Sequence, residues 1–207
     1  MTTKMDLIAR IVASEWKMFV DVPNAGGKAS CQEDSGSSEI FRSSQFVSWS
    51  EAALESYLLD LAEAENSGRN LLTEKYARMM GSTSPADLAL IEHLVPPLAP
   101  GAAPLIDQIV EIMLAWEEVL WEKYPNVLKR GRPLRTSADT QTVTSMETYL
   151  RGELATYSLR TLRPCYENIL RQRSENVNGS QLTLEYTVSR YGFKSLEEAN
   201  ERSRARG

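Results

Sequence analysis

The stretch from Pro104 to Tyr124, PLIDQIVEIMLAWEEVLWEKY, contains a clear helical pattern. Its apolar residues recur three and four positions apart, which places them on one face of an α-helix. The stretch therefore predicts a long amphipathic helix, which Pro125 ends because proline cannot continue the hydrogen-bond ladder. The opposite, solvent-facing side carries Asp107, Glu111, Glu118 and Glu122.

The same periodicity recurs along the chain, and no run alternates with a period of two for long enough to predict a strand. The fold is predicted to be all-α, a multi-helix bundle of roughly eight helices in a single domain spanning residues 1–207. Pro164 is expected to kink or divide a long segment from Ser145 to Gln172. The other predicted helices cover approximately Thr3 to Val20, Ser38 to Trp49, Glu51 to Glu65, Leu71 to Met80, Pro85 to Leu94, Ser180 to Tyr191 and Leu196 to Arg202.

The composition is that of a globular protein, with 42% apolar and 25% charged residues. Its formal charge is −5, so no excess of positive charge attracts nucleic acid. No stretch approaches the roughly 20 apolar residues that span a bilayer, and Asp6, Arg10 and Glu15 lie where a signal peptide is apolar. We therefore expect a cytoplasmic protein with neither nucleic-acid nor membrane partners, while the sequence leaves the oligomeric state open.

Two loops are candidate site loops, near residues 21–37 and 126–144. The first is rich in small residues and carries Cys31 and Gln32. The second is basic, with Lys129, Arg130, Arg132 and Arg135 around a glycine and a proline. Binding and catalytic residues are disproportionately found on such loops.

Three glutamates fall on the apolar faces of their predicted helices: Glu15, Glu117 and Glu153. An unpaired buried carboxylate costs several kcal/mol, so each requires a cation, hydrogen-bond donors, a metal, or a proton held by a raised pKa. A position at the rim of the core, or an internal ion pair with arginine, would explain any one of them. Three together favour a site.

Arginines are the expected partners of these glutamates, because a guanidinium stays charged when desolvated and binds carboxylate through two nitrogens. One interpretation is a buried salt-bridge network. The other is that loop arginines bind an anionic substrate and leave one glutamate as general acid or base. The candidates are Arg42, Arg130, Arg132, Arg135 and Arg151.

Cysteine and histidine offer little metal chemistry. Cys31 and Cys165 form no C-x-x-C pattern, and His93 is the single histidine, so neither a zinc site nor a cofactor is predicted. A histidine-free carboxylate metal site stays as an alternative. Cys31 is a candidate nucleophile, with a buried small hydrophobic residue as the structural alternative.

Tyr149, Glu153 and Tyr157 follow one another at four-residue spacing and form one helical ridge that is expected to line a pocket. Glu74 and Arg78 have the same spacing and are interpreted as a solvent-facing pair.

Several long motifs, including GGKASCQ (26–32), NLLTEKYARMM (70–80), RGRP (130–133) and ETYLRGELATYS (147–158), resemble an uncharacterised bacterial family known only as a domain of unknown function. The resemblance covers nearly the whole chain and implies a bacterial cytosolic protein, without an assigned activity. The positions that match the family's recurring polar residues are Glu15, Asn24, Cys31, Gln32, Arg42, Gln45, Glu74, Lys75, Tyr76, Arg130, Arg132, Tyr149, Arg151, Glu153 and Tyr157.

The sequence thus favours a cofactor-independent bacterial enzyme that uses carboxylates as general acid and base on an anionic small molecule, as a lyase, cyclase or hydrolase in a biosynthetic pathway. The alternatives are a non-catalytic helical module that binds a ligand or a protein, and a carboxylate metal protein. The catalytic candidates are Glu15, Glu117, Glu153 and Cys31. The substrate-binding candidates are Gln32, Arg42, Gln45, Arg130, Arg132, Tyr149, Arg151 and Tyr157.

Overall fold

Polar residues begin most of the helices by capping their first amide groups. At the first helix the Thr3 hydroxyl accepts from the Asp6 amide at 3.2 Å, and the Asp6 carboxylate accepts from the Thr3 amide at 2.9 Å. This reciprocal capping box satisfies two donors that a helix N-terminus leaves free. The same chemistry recurs at Ser145, whose hydroxyl accepts from the Thr148 amide at 3.1 Å.

The computed structural model describes residues 2–24, 27–129 and 131–205 and contains no strand in those ranges, which confirms the all-α prediction. None of the helices in those ranges is long and apolar enough to cross a membrane. The helices are α1 (Lys4–Val20), α2 (Ser35–Phe46), α3 (Glu51–Asn66), α4 (Leu71–Thr83), α5 (Pro85–Ile91), α6 (Ala102–Lys123), α7 (Pro125–Leu128), α8 (Met146–Leu154), α9 (Leu159–Ser174), α10 (Gly179–Arg190) and α11 (Leu196–Arg204).

The described residues form eleven helices, so the prediction of roughly eight was too low. Pro125 ends α6 but also begins the short α7, where proline is tolerated because the first helical amide has no partner in any case. The segment predicted from Ser145 to Gln172 divides after Leu154, and α9 then runs through Pro164.

A tertiary contact sets the place of that division. The buried Asp60 of α3 accepts hydrogen bonds from the Ser158 amide at 3.0 Å and the Ser158 hydroxyl at 2.7 Å. These bonds hold the Ser158 amide outside the helical ladder, so α9 starts at the next residue. The break in the predicted segment therefore lies between Leu154 and Leu159, whereas Pro164 is inside α9.

The helices surround one main core and one smaller core. Helix α3 packs against α1 on one side and α9 on the other, while α8 packs between α4 and α6. Residues of these helices and of α2 form the main core, which includes Ile11, Phe46 and Leu114. The smaller core joins the end of α6 to α7, α10 and α11 around Leu120 and Leu196. Helices α2, α4 and α8 meet beside α1, which brings distant polar residues together.

Gly152 allows α8 to approach α4 closely, and its replacement with alanine is expected to destabilise the fold. A Cβ atom at this position would lie 2.8 Å from Met79 Cγ and 3.1 Å from the Lys75 carbonyl oxygen. We expect Gly152→Ala to lower the free energy of unfolding by about 1–3 kcal/mol in urea denaturation. Gly36→Ala is the matched control, because its Cβ would meet only Asp34 Oδ1 at 3.7 Å. Equal stability of the two variants would contradict the close packing.

Candidate functional site

A buried guanidinium lies at the centre of the candidate site. Arg42 Nε and Nη2 donate to the two carboxylate oxygens of Glu15 at 2.7 and 2.6 Å. Nη2 and Nη1 also donate to Glu153 at 2.6 and 3.2 Å, and Nη1 donates to the Tyr149 hydroxyl at 3.1 Å. These contacts use all five N–H groups of the arginine. The buried Glu–Arg ion pairs predicted from the helical faces are confirmed.

Three further side chains complete this network. Lys75 Nζ donates to Glu153 at 2.7 Å, the Tyr57 hydroxyl donates to Glu15 at 2.7 Å, and the Tyr157 hydroxyl donates to Glu153 at 2.9 Å. We call the seven residues Glu15, Arg42, Tyr57, Lys75, Tyr149, Glu153 and Tyr157 the arginine network. All seven are at most 9% exposed, and they come from α1, α2, α3, α4, α8 and the turn after α8.

The arginine network contains two carboxylates and two cations, so its formal charges cancel. Burial alone would raise the pKa of Glu153, but Arg42 and Lys75 outweigh it and hold the pKa well below the ordinary value. Burial alone would lower the pKa of Arg42, but the carboxylates of Glu15 and Glu153 outweigh this effect and hold the pKa well above its ordinary value. Glu153 is therefore ionised in the folded protein near neutral pH.

Tyr149 ties the network to the basic loop. Lys75 Nζ lies 3.6 Å from the centre of the Tyr149 ring, and the Arg132 guanidinium lies 4.9 Å from it. Burial raises the pKa of Tyr149, and the Glu153 carboxylate adds to this effect, so the phenol stays neutral. Arg132 also donates to the Thr144 carbonyl at 3.0 Å. Within the described part of the basic loop, Arg132 thus reaches the network, whereas Arg135 pairs with Glu118 at the surface.

Two cavities lie beside the network. The smaller, about 70 Å³, is lined by Glu15, Arg42, Lys75, Tyr76 and Tyr149 together with aromatic residues of α1 and α2. The larger, about 220 Å³, lies between α2, α6, α8, α9 and α10 and is mostly apolar. Glu153 and Tyr157 line the larger cavity, and Phe41 lines both. The ridge predicted from Tyr149 to Tyr157 therefore does border pockets.

Glu117 lines the larger cavity from α6, in different surroundings from Glu153. It is half-buried, forms no ion pair within the described residues, and has a pKa that this partial burial raises. The nearby Ser180 hydroxyl lowers this pKa by a smaller amount. However, Ser180 Oγ is buried and makes no hydrogen bond of normal geometry with the described residues. One cavity thus contains a carboxylate held ionised and a carboxyl group that is easier to protonate.

Three other predicted site residues take no part in the arginine network. Gln32 anchors the first loop, because its amide donates to the carbonyls of Phe19 and Val22 at 2.8 and 3.0 Å. Gln45 lines the larger cavity, whereas Arg151 lies at the surface and pairs with Asp107.

Cys31 and Arg130 are the remaining predicted residues of the two site loops. Cys31 is exposed on a 3₁₀ turn, so its interpretation as a buried small hydrophobic residue was wrong. Arg130 lies outside the described residues.

Tyr57 and Lys75 were not among the predicted catalytic or substrate-binding residues, although both belong to the arginine network. The spacing offered one signal for Lys75, which lies four positions after Leu71 and four before Met79 on the buried face of α4. The same face contains Glu74, so its interpretation as a solvent-facing partner of Arg78 was wrong. Glu74 pairs instead with Arg69, which donates to both carboxylate oxygens at 2.8 Å.

No group of three or more histidine, cysteine, aspartate or glutamate side chains that could hold a metal ion occurs in the described ranges. The acidic residues of the arginine network lie against arginine and lysine instead.

Comparison with known proteins places the chain in a family. A family model described as Protein of unknown function (DUF4125) matches residues 5–201. The chain belongs to this family. The matched residues of DUF4125 include every member of the arginine network and both carboxyl groups of the larger cavity. No curated protein and no solved structure matches the chain.

Proposed function

We propose that the protein is a cofactor-independent enzyme that binds an anionic small molecule in the larger cavity and transfers a proton through Glu117. The observation that carries this proposal is the position of Glu117, a carboxyl group with a raised pKa in a mostly apolar cavity. General acid catalysis near neutral pH requires such a group, because an ordinary glutamate is ionised there.

Glu15 and Glu153 have different roles in this proposal. Each accepts two hydrogen bonds from Arg42 and one or more from a tyrosine or lysine. Protonating either carboxylate would leave the guanidinium without a full set of anionic partners, which is unfavourable in a buried site. They therefore act as positioning residues that hold the wall of the cavity.

Glu117 is the proton-exchanging group in this proposal. A carboxyl group with a raised pKa in a mostly apolar cavity can release and take up a proton near neutral pH, as a lyase, a cyclase or a hydrolase requires. The apolar wall binds the body of the substrate, and few polar groups set its orientation. Gln45, Asn168 and Gln172 line the cavity and are the orienting amides in this proposal.

We also propose that the protein acts in the bacterial cytoplasm, where it needs neither nucleic acid nor membrane as partner. The motif resemblance to a bacterial family supports this, and so do the two free cysteines, Cys31 and Cys165, since a reducing compartment keeps thiols unpaired.

Metabolite profiling tests the proposed activity. The purified protein is incubated with a bacterial small-molecule extract, and mass spectrometry follows both bound compounds and compounds consumed. We expect the wild type to consume a small anion, and Glu117→Gln to bind it with little or no turnover. The matched control is Glu122→Gln, an exposed glutamate on the same helix. Turnover by Glu117→Gln at the wild-type rate would contradict the proposed role of Glu117.

A non-catalytic ligand-binding module is the second candidate. The charge balance of the arginine network favours it, because a fully paired buried network can act only by holding geometry. Capture of one compound by both wild type and Glu117→Gln, with consumption by neither, would favour this candidate over the enzyme.

The raised pKa of Glu117 also predicts that this residue lowers the stability of the folded protein at high pH. The folded protein keeps this proton more readily than the unfolded chain does, so stability falls as pH rises above the unfolded value of about 4.3. At pH 8 we expect the free energy of unfolding of Glu117→Gln to exceed that of the wild type by about 1 kcal/mol. The gain should vanish near pH 4 in urea titrations. A variant that is less stable than the wild type at pH 8 would show that the carboxylate has a stabilising partner.

A further inference from the structure

The first turn of α10 forms one wall of the larger cavity, through Gly179 and Ser180. The Asn178 side chain caps this turn by accepting from the Gln181 amide at 2.9 Å, and its own amide group donates to the Trp116 carbonyl at 3.1 Å. Within the described chain, the amides of Gly179 and Ser180 donate to no acceptor. Two backbone donors at the positive end of a 12-residue helix thus remain free beside the cavity.

The buried hydroxyl of Ser180 also indicates a ligand at this turn. This residue is 6% exposed, lines the cavity, and its hydroxyl has no hydrogen-bond partner among the described residues. Buried hydroxyl groups are satisfied in most proteins, because an unpaired one is destabilising. An acceptor atom of a bound ligand would satisfy it.

The position before Ser180 requires glycine. A Cβ atom on Gly179 would lie 2.9 Å from Gln172 Oε1 and 2.9 Å from Trp116 Cζ3, so no side chain fits between α6 and α9. Glycine here lets the first turn of α10 pack directly against the Gln172 and Trp116 side chains at the edge of the cavity.

We propose, as an extension that rests on the proposed function, that this turn binds the carboxylate of a small apolar carboxylic acid. The amides of Gly179 and Ser180 and the Ser180 hydroxyl donate to the carboxylate, while the apolar walls from α6, α8 and α9 enclose the rest of the molecule. Phenylacetate, a small apolar carboxylic acid, serves as the probe for this site.

Binding of a carboxylate at this site requires Glu117 to be protonated. Its carboxyl group lies close to Ser180, so an ionised Glu117 would repel the bound carboxylate, whereas a protonated one can donate to it. The other titratable groups that line the cavity are Glu153 from α8, Tyr157 after α8 and Cys165 from α9. Arg42 and Lys75 neutralise Glu153, and burial raises the pKa of Tyr157 and of Cys165, so both stay neutral. Binding is therefore expected to take up a proton through Glu117.

The test compares phenylacetate with 2-phenylethanol, a neutral probe of similar size and shape. Trp49 and Trp116 line the cavity, so tryptophan fluorescence of the intact protein reports binding of either probe. We expect phenylacetate to bind about tenfold more tightly than 2-phenylethanol at pH 6, and Ser180→Ala to remove most of this preference. Ser189→Ala, an exposed serine of the same helix, should leave it unchanged.

Calorimetry in buffers of different ionisation enthalpy measures how many protons the protein takes up when phenylacetate binds. We expect uptake of up to one proton per phenylacetate by the wild type, and little or none by Glu117→Gln. Equal uptake by both proteins would overturn the pairing of the ligand with Glu117.

The two proposals fail in different ways. Equal affinity for phenylacetate and 2-phenylethanol would overturn the anion site while leaving the cavity as a binding site. Binding of neither probe would overturn both the anion site and the ligand-binding cavity on which the proposed function depends. Preference for phenylacetate that survives in Ser180→Ala would also overturn the assignment of the carboxylate to this turn.

Discussion

Replacement of Arg42 with methionine is expected to lower the free energy of unfolding by about 3–5 kcal/mol. Methionine fills much of the same volume, but it leaves Glu15 with a tyrosine hydroxyl and Glu153 with Lys75 and a second tyrosine hydroxyl. Two buried carboxylates then share one cation, and the loss is dominated by the charge that stays unpaired. Urea denaturation at pH 7, with circular dichroism as the readout, measures this difference.

A surface arginine provides the matched control. Arg202 pairs with Glu198 at 2.7 Å, but its side chain is 64% exposed. Arg202→Met should change the unfolding free energy by no more than about 0.5 kcal/mol, because water solvates both partners once they separate. A loss below about 1 kcal/mol for Arg42→Met would mean that water or bound protons neutralise the carboxylates instead.

The double variant Glu15→Gln with Arg42→Met separates charge from packing. It removes one negative and one positive group, so Lys75 and Glu153 remain as a balanced pair. We expect the double variant to lose less stability than the sum of the two single variants, by roughly 1–3 kcal/mol. Additive losses would indicate that Glu15 and Arg42 stabilise the fold independently of each other.

Glu153→Gln is expected to destabilise the protein by about 3–5 kcal/mol at pH 7 and by much less in acid. The folded-state pKa of Glu153 is depressed by Arg42 and Lys75, so its contribution is present above the unfolded value of about 4.3. That contribution is lost as the pH falls from about 4.3 toward the folded-state pKa. The stability curves of wild type and variant should therefore begin to converge below about pH 4.5 and should still differ at pH 3, because the folded-state pKa lies lower.

The convergence distinguishes charge pairing from simple packing. Glu175→Gln is the control, because Glu175 is half exposed and pairs with Arg171 one helical turn away. Its curve should run parallel to that of the wild type, within about 0.5 kcal/mol, across the same pH range. A constant gap between wild type and Glu153→Gln down to pH 3 would contradict the depressed pKa.

Helical periodicity was sufficient to recognise the unusual carboxylates. Glu15 and Glu153 fall among apolar residues on their helical wheels, and both are buried. Arg42 was predicted as a partner because guanidinium is the cation best suited to burial. Helix type and face depend on neighbours within one or two turns, so a single sequence contains this information.

Pairing across helices was less accessible. The role of Tyr57 was not predicted, and Glu74 was interpreted as a surface group, because each assignment depends on a side chain from another turn or helix. The opposite behaviour of Glu117 and Glu153 was also invisible, since both lie on apolar helix faces. Distance to Arg42 and Lys75 separates them, and no local pattern encodes that distance.

The helical class, most helix boundaries and the presence of glutamates and an arginine in the interior could be predicted from the chain alone, because they follow from periodicity, capping and the chemistry of burial. The pairing of the carboxylates, the start of α9 and the set of groups that line a common cavity depend on how the helices pack. The physical reason is that hydrogen bonds and charges act over a few ångströms in space. Arg42 comes within that range of Glu15 and Glu153, and Lys75 within that range of Glu153, only when four helices have packed together.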